Sequence, residues 1–167
     1  KLPKDLKTLG DTKKKRELFI KIILPLILSE NNKIIEDRKR LFKVLAKNFN
    51  TAGERVWLKR RFKEYKIDDG DLSKLKMRMD IIPVSVALAQ AANESGWGTS
   101  RFALEGNALF GQWTWSKKGI SPKNKDPNKT HKILQFQVLK ASVRAYKNNL
   151  NTHNAYKEFR EIRAQLR

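Results

Sequence analysis

An alanine-rich segment near the middle of the chain constrains the fold more than any other part of the sequence. Residues 81–95 contain four alanines, and Pro83 suits the first turn of a helix because its missing N–H has no intrahelical partner there. Gly96 and Gly98 can end such a helix. The sequence therefore predicts a helix over 81–95, and the small residues on every face predict that it is buried against close neighbours.

Amphipathic helices are predicted on the N-terminal side of this segment. Apolar residues recur there at helical spacing, with Lys and Arg between them. These residues are Leu18, Ile22, Leu26, Ile34, Leu41, Leu45 and Phe49. Pro25 and the polar residues 29–32 predict a break, so two helices are expected between about residues 11 and 50. A third helix is predicted over 53–65, with a buried face of Val56, Trp57, Phe62 and Tyr65.

The rest of the chain mixes short helices with a small β element. Helices are predicted over 99–105, 139–149 and 154–166. Strands are predicted over 109–115 and 132–138, where aromatic and aliphatic residues alternate with polar ones. A Lys-rich loop joins the two strands. The predicted fold class is therefore mainly α, a single helical domain with a small β-hairpin element.

The charge balance restricts the partners of this chain. Its 37 Lys and Arg residues outnumber 17 Asp and Glu residues, which gives a formal net charge of +20, while 40% of the residues are hydrophobic. That apolar content excludes a disordered polycation. A field this positive concentrates polyanions, so we expect an anionic partner such as nucleic acid, anionic lipid, acidic wall polymers or phosphorylated glycans.

Other composition features exclude several kinds of site. The chain has no cysteine, and His131 and His153 are too few for a His-based metal site, so neither a metal nor a cofactor is expected. The longest apolar run, residues 22–28, contains a proline and is too short to cross a bilayer. Because the chain begins at Lys1 rather than Met, we interpret it as a processed or truncated product, and a missing signal peptide does not argue against export.

Glu94 is the residue that stands out as a candidate for chemistry. It falls in the last turn of the predicted alanine-rich helix, where an unpaired carboxylate is costly to bury. Partial burial, the negative end of the helix dipole and a ring packed on it from Trp97 would all favour its protonated form. A neutral carboxylic acid can protonate a leaving-group oxygen. Alternatively, Glu94 forms a buried ion pair with Arg101 or a capping hydrogen bond, and the helix pattern alone leaves these possibilities open.

The segments around Glu94 carry a family resemblance. Residues 89–103 read AQAANESGWGTSRFA, residues 106–113 read GNALFGQW, and residues 142–153 read SVRAYKNNLNTH. Together they resemble the glucosaminidase class of bacterial wall hydrolases, glycoside hydrolase family 73, and are most similar to its Bax-like members. The first motif alone is also similar to one in lytic transglycosylases, whereas the Asn-x-Leu-Phe-Gly continuation makes the resemblance specific. The likeness covers most of the chain.

The resemblance implies a lysozyme-like helical fold with a small β element, acting on β-1,4-linked aminosugar chains. It also implies that Glu94 is the general acid. Many family members have a second acidic residue in the β element, but here Asp126 is the only acid between Gly106 and Tyr156. The second step could use the acetamido oxygen of the substrate, a water positioned by Asp126, or an intramolecular attack that yields an anhydro-sugar. We expect one of the first two.

Further residues are candidates for the site. A tyrosine near the site recurs in the family, and Tyr156 is the candidate for that catalytic position. The candidates for substrate binding are Gln112, Trp113, Trp115, Tyr146 and His131. Aromatic rings stack on sugar faces, and amides bond hydroxyl or acetamido groups. Tyr146 fits core packing equally well, and strand tryptophans and a lone histidine also occur as structural residues, so these alternatives remain open.

On the basis of this resemblance, we expect a peptidoglycan hydrolase, an endo-β-N-acetylglucosaminidase with a single glutamate acid. Residues 1–80 are expected to form basic helices that pack on a catalytic core of residues 81–167. The expected partners are peptidoglycan glycan strands and, by charge, anionic wall polymers or the outer-membrane surface, without specific nucleic-acid binding. We expect an exported monomer in the periplasm or cell envelope.

Two other functions remain open at the level of sequence. An endoglycosidase for N-linked oligosaccharides would use the same chemistry on a different substrate. A non-catalytic basic module that binds glycans or nucleic acid would also explain the charge, although no helix-turn-helix or single-strand stacking motif is present.

Overall fold

Helices dominate the computed structural model, which describes residues 1–114, 119–121 and 131–167. The helices of the described residues are α1 (Thr12–Leu45), α2 (Ala52–Glu64), α3 (Leu72–Arg78), α4 (Val84–Ser95), α5 (Arg101–Gly106), α6 (Leu139–Thr152) and α7 (Lys157–Gln165), with short 3-10 turns at Lys4–Lys7 and Asn154–Tyr156. Three strands, β1 (Trp113–Thr114), β2 (Gly119–Ile120) and β3 (Lys132–Leu134), form an antiparallel sheet in the order β1-β3-β2. The predicted mainly α fold with a small β element is confirmed.

Internal contacts divide the chain into two compact units. The first unit comprises Lys1–Ser29 and Pro83–Tyr146, and the second comprises Glu30–Ile82 and Lys147–Arg167. This division does not coincide with the segments 1–80 and 81–167, whose roles stay a prediction. In the described ranges, no helix combines the length and the hydropathy needed to cross a bilayer.

Helix α1 corrects the prediction of two N-terminal helices, because it continues through Pro25 without a break. The polar residues that were expected to interrupt it are helical, and two of them are buried with partners. Glu30 accepts a hydrogen bond from Lys147 at 3.1 Å, and Asn31 exchanges hydrogen bonds of 2.8 and 3.1 Å with the backbone of Ile82. Partners of this kind offset the cost of burying polar groups.

The second unit has an apolar core to which α1 and α3 contribute. Its buried members are Ile34, Leu41, Tyr65, Ile67, Leu75 and Met79. Trp57 and Phe62 of α2 pack on this core while only partly buried. Val56 was predicted to be buried but is 51% exposed, so that prediction is wrong. Phe49, a member of the apolar repeat in the sequence, is 91% exposed. Asp71 caps α3 by accepting hydrogen bonds from the backbone of its first turn.

A buried charge cluster follows α3 in the second unit. Asp80 is 2% exposed and pairs with Arg163 at 3.6 Å and with Arg167. Arg163 also donates to the carbonyl of Ile81 at 2.9 Å and to Oδ1 of Asn151 at 2.8 Å. Burial lowers the pKa of Arg163, and the charge of Asp80 opposes that shift. Removing one partner of such a cluster would leave a buried charge without compensation.

Helix α4 of the first unit occupies the segment in which the sequence predicted a helix, with Pro83 as its N-cap. Its buried residues are Ala87, Ala91, Ala92 and Ser95. The opposite side, which includes Gln90 and Glu94, is exposed, so the prediction of burial on every face is wrong. Three alanines, Ala87, Ala91 and Ala92, pack on the buried side of α4, and Ala89 lies on the exposed side.

The strands are shorter than predicted, and the sheet has three strands where the sequence predicted a two-stranded hairpin. β1 and β3 lie within the predicted strands, while β2 lies within the segment predicted as a loop. Gly106 of α5 lies directly against this sheet, since a Cβ built on it would be 2.6 Å from Cδ1 of Ile120. Its carbonyl accepts a hydrogen bond from the N–H of Phe136 at 2.8 Å. The sheet is therefore held against the helix that follows α4 in the chain.

Candidate active site

The C-terminal end of α4 determines the backbone around Glu94. Gly96, the C-cap, has φ 55° and ψ 50°, a left-handed conformation that glycine adopts without strain. Trp97 has φ 56°, which is unusual for a bulky residue. The hydroxyl of Ser95 donates to a carbonyl one turn earlier at 2.5 Å and accepts from the N–H of Gly98 at 2.9 Å. These bonds hold the turn immediately after the candidate acid.

The side chain of Glu94 is exposed, which corrects the expectation of partial burial. Among the described residues it forms no ion pair or hydrogen bond. The pair with Arg101 that the sequence left open is not formed. Instead Nη1 of Arg101 lies 3.5 Å from Oε2 of Glu105, and Nη2 donates to the carbonyl of Ser121 at 2.5 Å. The carboxylate of Glu94 is therefore accessible to a ligand.

Gly111 lies beside this carboxylate. A Cβ built on Gly111 would be 3.4 Å from Oε2 of Glu94, and the residue has φ 57°. The preceding residue, Phe110, stacks on Tyr146 with ring centroids 4.0 Å apart and 5° between the planes. Tyr146 is 8% exposed, so its described contact is packing against the segment that passes Glu94. A role of Tyr146 in substrate binding stays a prediction.

Three predicted binding residues lie at the sheet, with Gln112 and Trp113 on the continuation of this segment and His131 directly before β3. Trp113 is 62% exposed, and its ring stacks on His131 with centroids 4.3 Å apart and 22° between the planes. The pairing of β1 with β3 brings these two residues close, because Trp113 is opposite Ile133. The carbonyl of Gln112 accepts from the N–H of Leu134 at 2.7 Å, and its Oε1 is buried without a partner among the described residues. Because most of its ring is exposed, Trp113 belongs to the surface and not to the core.

The remaining predicted site residues are Trp115, Asp126 and Tyr156. Trp115 and Asp126 lie outside the described residues. Tyr156 belongs to the second unit, where its ring lies edge-on to His153 with centroids 6.2 Å apart. The catalytic roles of Asp126 and Tyr156 stay predictions. The described part of the chain contains no group of three or more His, Asp or Glu side chains placed to hold a metal ion.

Sequence reasoning missed the role of Gly111 and the environment of Trp97. A glycine inside a predicted strand indicates a close approach of another group, so Gly111 carried a usable signal. Trp97 was expected to pack on the candidate acid. Its ring instead lies edge-on to Phe19 of α1 at 5.7 Å and 5.0 Å from the guanidinium carbon of Arg16. No local pattern connects these distant residues, because only the tertiary fold places α1 against the end of α4.

Comparison with known proteins now assigns the family. Residues 71–166 match the glucosaminidase family, described as mannosyl-glycoprotein endo-beta-N-acetylglucosaminidase. The chain belongs to the glucosaminidase family. Glu94, Gly111 and the sheet all lie inside the matched range. Membership of the glucosaminidase family supports a glycosidase-type function.

A curated relative extends the comparison beyond the matched domain. This glucosaminidase-family chain is 37% identical over 169 residues to Protein bax of Escherichia coli (strain K12). The alignment covers 98% of the chain and 60% of the relative, so the chain spans only part of the relative's length. The predicted resemblance to Bax-like glucosaminidases is confirmed. No solved structure matches the chain.

Proposed function

We propose that the protein is an endo-β-N-acetylglucosaminidase that cleaves β-1,4 bonds in the glycan strands of bacterial peptidoglycan. The observation that carries the proposal is the carboxylate of Glu94, which is exposed at the end of α4, unpaired among the described residues and adjacent to Gly111. Glycosidases need a carboxylic acid that reaches the glycosidic oxygen. The net charge of +20 supports an anionic polymer as substrate.

In the proposed reaction, the carboxyl group of Glu94 donates its proton to the glycosidic oxygen as the bond from the anomeric carbon to that oxygen breaks. The departing sugar leaves as an alcohol. The acetamido oxygen of the substrate forms the new bond to the anomeric carbon, or a water positioned by Asp126 forms it and gives its proton to that carboxylate. If the acetamido oxygen attacks first, a water then opens the cyclic intermediate and gives its proton back to Glu94.

Substrate binding itself would assist this step. A strand that lies over Glu94 would exclude water from the carboxyl group, and exclusion of water strengthens the hydrogen bond from the acid to the glycosidic oxygen. The exposed ring of Trp113 offers an aromatic face for a sugar, and its stack on His131 restricts its orientation. Gly111 leaves room beside the acid for the substrate. We assign Trp113 to substrate binding on these grounds.

The experiment that tests the proposal is digestion of purified sacculi, followed by mass spectrometry of the released muropeptides. We expect the wild-type protein to release products that end in reducing N-acetylglucosamine, and Glu94→Gln to reduce release at least ~10²-fold while remaining folded. Glu158→Gln, which removes an exposed carboxylate of α7, is the control and should keep wild-type activity. Retained activity in folded Glu94→Gln would reject the assignment. Products that lack one water would indicate lytic cleavage in place of hydrolysis.

A second candidate substrate is favoured by the description of the matching family. That description names a mannosyl-glycoprotein endoglycosidase, which acts on N-linked oligosaccharides. A high-mannose glycopeptide incubated in parallel with sacculi separates the two substrates by product mass. Release of the oligosaccharide without muropeptides would favour the second candidate. Steeply salt-dependent DNA binding without turnover of either substrate would favour a non-catalytic basic module.

The proposed substrate carries a proposal for location and partners. Peptidoglycan lies in the cell envelope, so we place the protein there or in the periplasm as an exported monomer. Its positive charge would also attract anionic wall polymers or the outer-membrane surface. Fractionation of the producing cells, with the protein detected in periplasm or cytoplasm, tests this placement.

A further inference from the structure

A cavity of about 440 Å³ lies between the N-terminal part of α1 and α4, within the first unit. Ile20, Leu88 and Ala92 contribute apolar surface to it, and Trp97 contributes an aromatic ring. Glu94 does not line this cavity. The cavity is therefore a feature separate from the contact of Glu94 with Gly111.

Helical geometry relates this cavity to the candidate acid. At about 100° per residue, Glu94 points roughly 180° away from Ser85, which lines the cavity. The residues between them on the helix surface, including Val86 and Gln90, are exposed. The cavity and the acid therefore lie at the two opposite edges of the exposed face of α4. A ligand that crosses this side of the helix could contact both.

Polar groups in and near the cavity have unused hydrogen-bonding capacity. The side chains of Ser85 and Asn93 line the cavity, are exposed and form no hydrogen bond among the described residues. A small number of polar groups on an apolar, aromatic wall is typical of small-ligand sites. A hydroxyl and an amide can bond sugar hydroxyl and acetamido groups. They have no matching group on a plain acyl chain.

The guanidinium group of Arg16 lies next to the aromatic side of the cavity, over the ring of Trp97. The guanidinium carbon of Arg16 lies 5.0 Å from the centroid of the Trp97 ring. Arg16 is exposed and has no carboxylate partner among the described residues. Glu17 is the neighbouring acid on α1, and Asp11 is engaged in capping the helix and in a 3.8 Å contact with Lys14. A guanidinium held over an indole keeps its N–H edge available for a carboxylate.

We propose that this cavity binds an N-acylated sugar that carries a carboxylate, the chemistry of a muramic-acid unit in a wall glycan. Trp97 contacts the face of the sugar ring, Asn93 and Ser85 bond its acetamido and hydroxyl groups, and Arg16 pairs with its carboxylate. The inference rests on the proposed function, because it makes the cavity a second subsite for the same strand.

The test measures binding without turnover, in the full chain carrying Glu94→Gln. The probes are a disaccharide of N-acetylglucosamine and N-acetylmuramic acid, the neutral N,N′-diacetylchitobiose, and decanoate. Affinity is measured by calorimetry, and contact is followed through the NMR signal of the Trp97 indole N–H. We expect the acidic disaccharide to bind roughly tenfold more tightly than the neutral one at low salt, because a charge-assisted pair is added.

Matched variants locate the effect. Arg16→Glu should abolish the roughly tenfold preference for the acidic sugar, whereas Lys21→Glu, the same charge change at an exposed position of α1 that neither lines the cavity nor stacks on Trp97, should preserve it. Ala89→Phe should fill the cavity and weaken binding of both sugars. Equal affinity for the two sugars, or equal effects of Arg16→Glu and Lys21→Glu, would overturn the inference. Saturable decanoate binding at this indole with weaker sugar binding would assign the cavity to an acyl ligand instead.

The two proposals fail in different ways. If wild-type protein does not cleave sacculi, the proposed function is rejected, whatever the inactive variant binds. If sacculi are cleaved but the Trp97 signal does not respond to the acidic disaccharide, only the second subsite is rejected.

Discussion

The carboxylate of Glu94 lies beside Gly111, with Oε2 of Glu94 3.4 Å from the position that a Cβ at residue 111 would take. This proximity brings the end of α4 next to the segment that leads into β1. A methyl group added at residue 111 would therefore take up the space next to the candidate acid.

Gly111→Ala should therefore reduce glycan cleavage by roughly tenfold or more, because a Cβ strains the left-handed backbone beside the acid and the methyl group takes up space next to the carboxylate. Gly70→Ala is the matched control, since Gly70 also has positive φ, at 69°, but has nothing within 4 Å of its Cβ position. Both variants should lose about 1 kcal/mol of unfolding free energy. Cleavage rates and urea unfolding measure the two effects. Equal activity in the two variants would contradict a functional role for the contact.

Trp113→Ala should raise KM by roughly tenfold and change kcat little, because the exposed ring is assigned to binding and not to proton transfer. Its exposure predicts a stability change within about 1 kcal/mol. Phe49→Ala, which truncates a 91% exposed ring in the second unit, should leave KM unchanged. Kinetics on solubilised glycan provide the readout. A large loss of stability in Trp113→Ala would instead make Trp113 a structural residue.

Gly98→Ala should destabilise the first unit by about 2–3 kcal/mol. A Cβ there would lie 2.9 Å from Leu2 and 3.0 Å from both Leu6 and Phe19, and φ is 79°. Gly10→Ala is the control, because its Cβ position has nothing within 4 Å and its φ is not positive. Thermal and urea unfolding measure both variants. A Gly98→Ala protein as stable as Gly10→Ala would show that the N-terminal residues do not pack here.

Tyr65→Phe should weaken the loss of stability at alkaline pH. Burial raises the pKa of the Tyr65 hydroxyl above its ordinary value near 10. The native state then keeps a proton that the unfolded state releases, so this contribution is complete below about pH 10 and falls as pH rises further. Urea unfolding at pH 8 and pH 11 should show about 1 kcal/mol less loss in Tyr65→Phe than in wild type. Lysine titration affects both proteins and cancels in the difference, so parallel losses would contradict the prediction.

Local signals explain which parts of the fold the sequence predicted well. The helix at 84–95 and its glycine end depend on propensity and capping groups within a few residues. The break expected at residues 29–32 did not form. Its side chains find buried partners far along the chain, at Lys147 and Ile82, and local patterns do not contain those contacts.

The candidate site likewise combines residues that the sequence indicated with contacts that only the folded structure shows. Glu94 could be selected because a carboxylate in an alanine-rich helix is locally unusual, and Gln112 and Trp113 because they share one segment. The proximity of Glu94 to Gly111 and the stack of Trp113 on His131 bring together residues that lie 17 and 18 positions apart. The exposure of Glu94 likewise depends on distant parts of the chain. Such contacts depend on how α4, the following turn and the sheet pack together.

The sequence by itself determined the family, the mainly α character and the identity of the candidate acid, because motif, helical periodicity and capping are written in short stretches of chain. Only the tertiary structure decided that this acid faces solvent, that α1 continues through its proline, and that Trp97, with Arg16 over its ring, lines a cavity beside α4. The physical reason is that burial and pairing are properties of packed neighbours, and those neighbours are brought together only when the whole chain has folded.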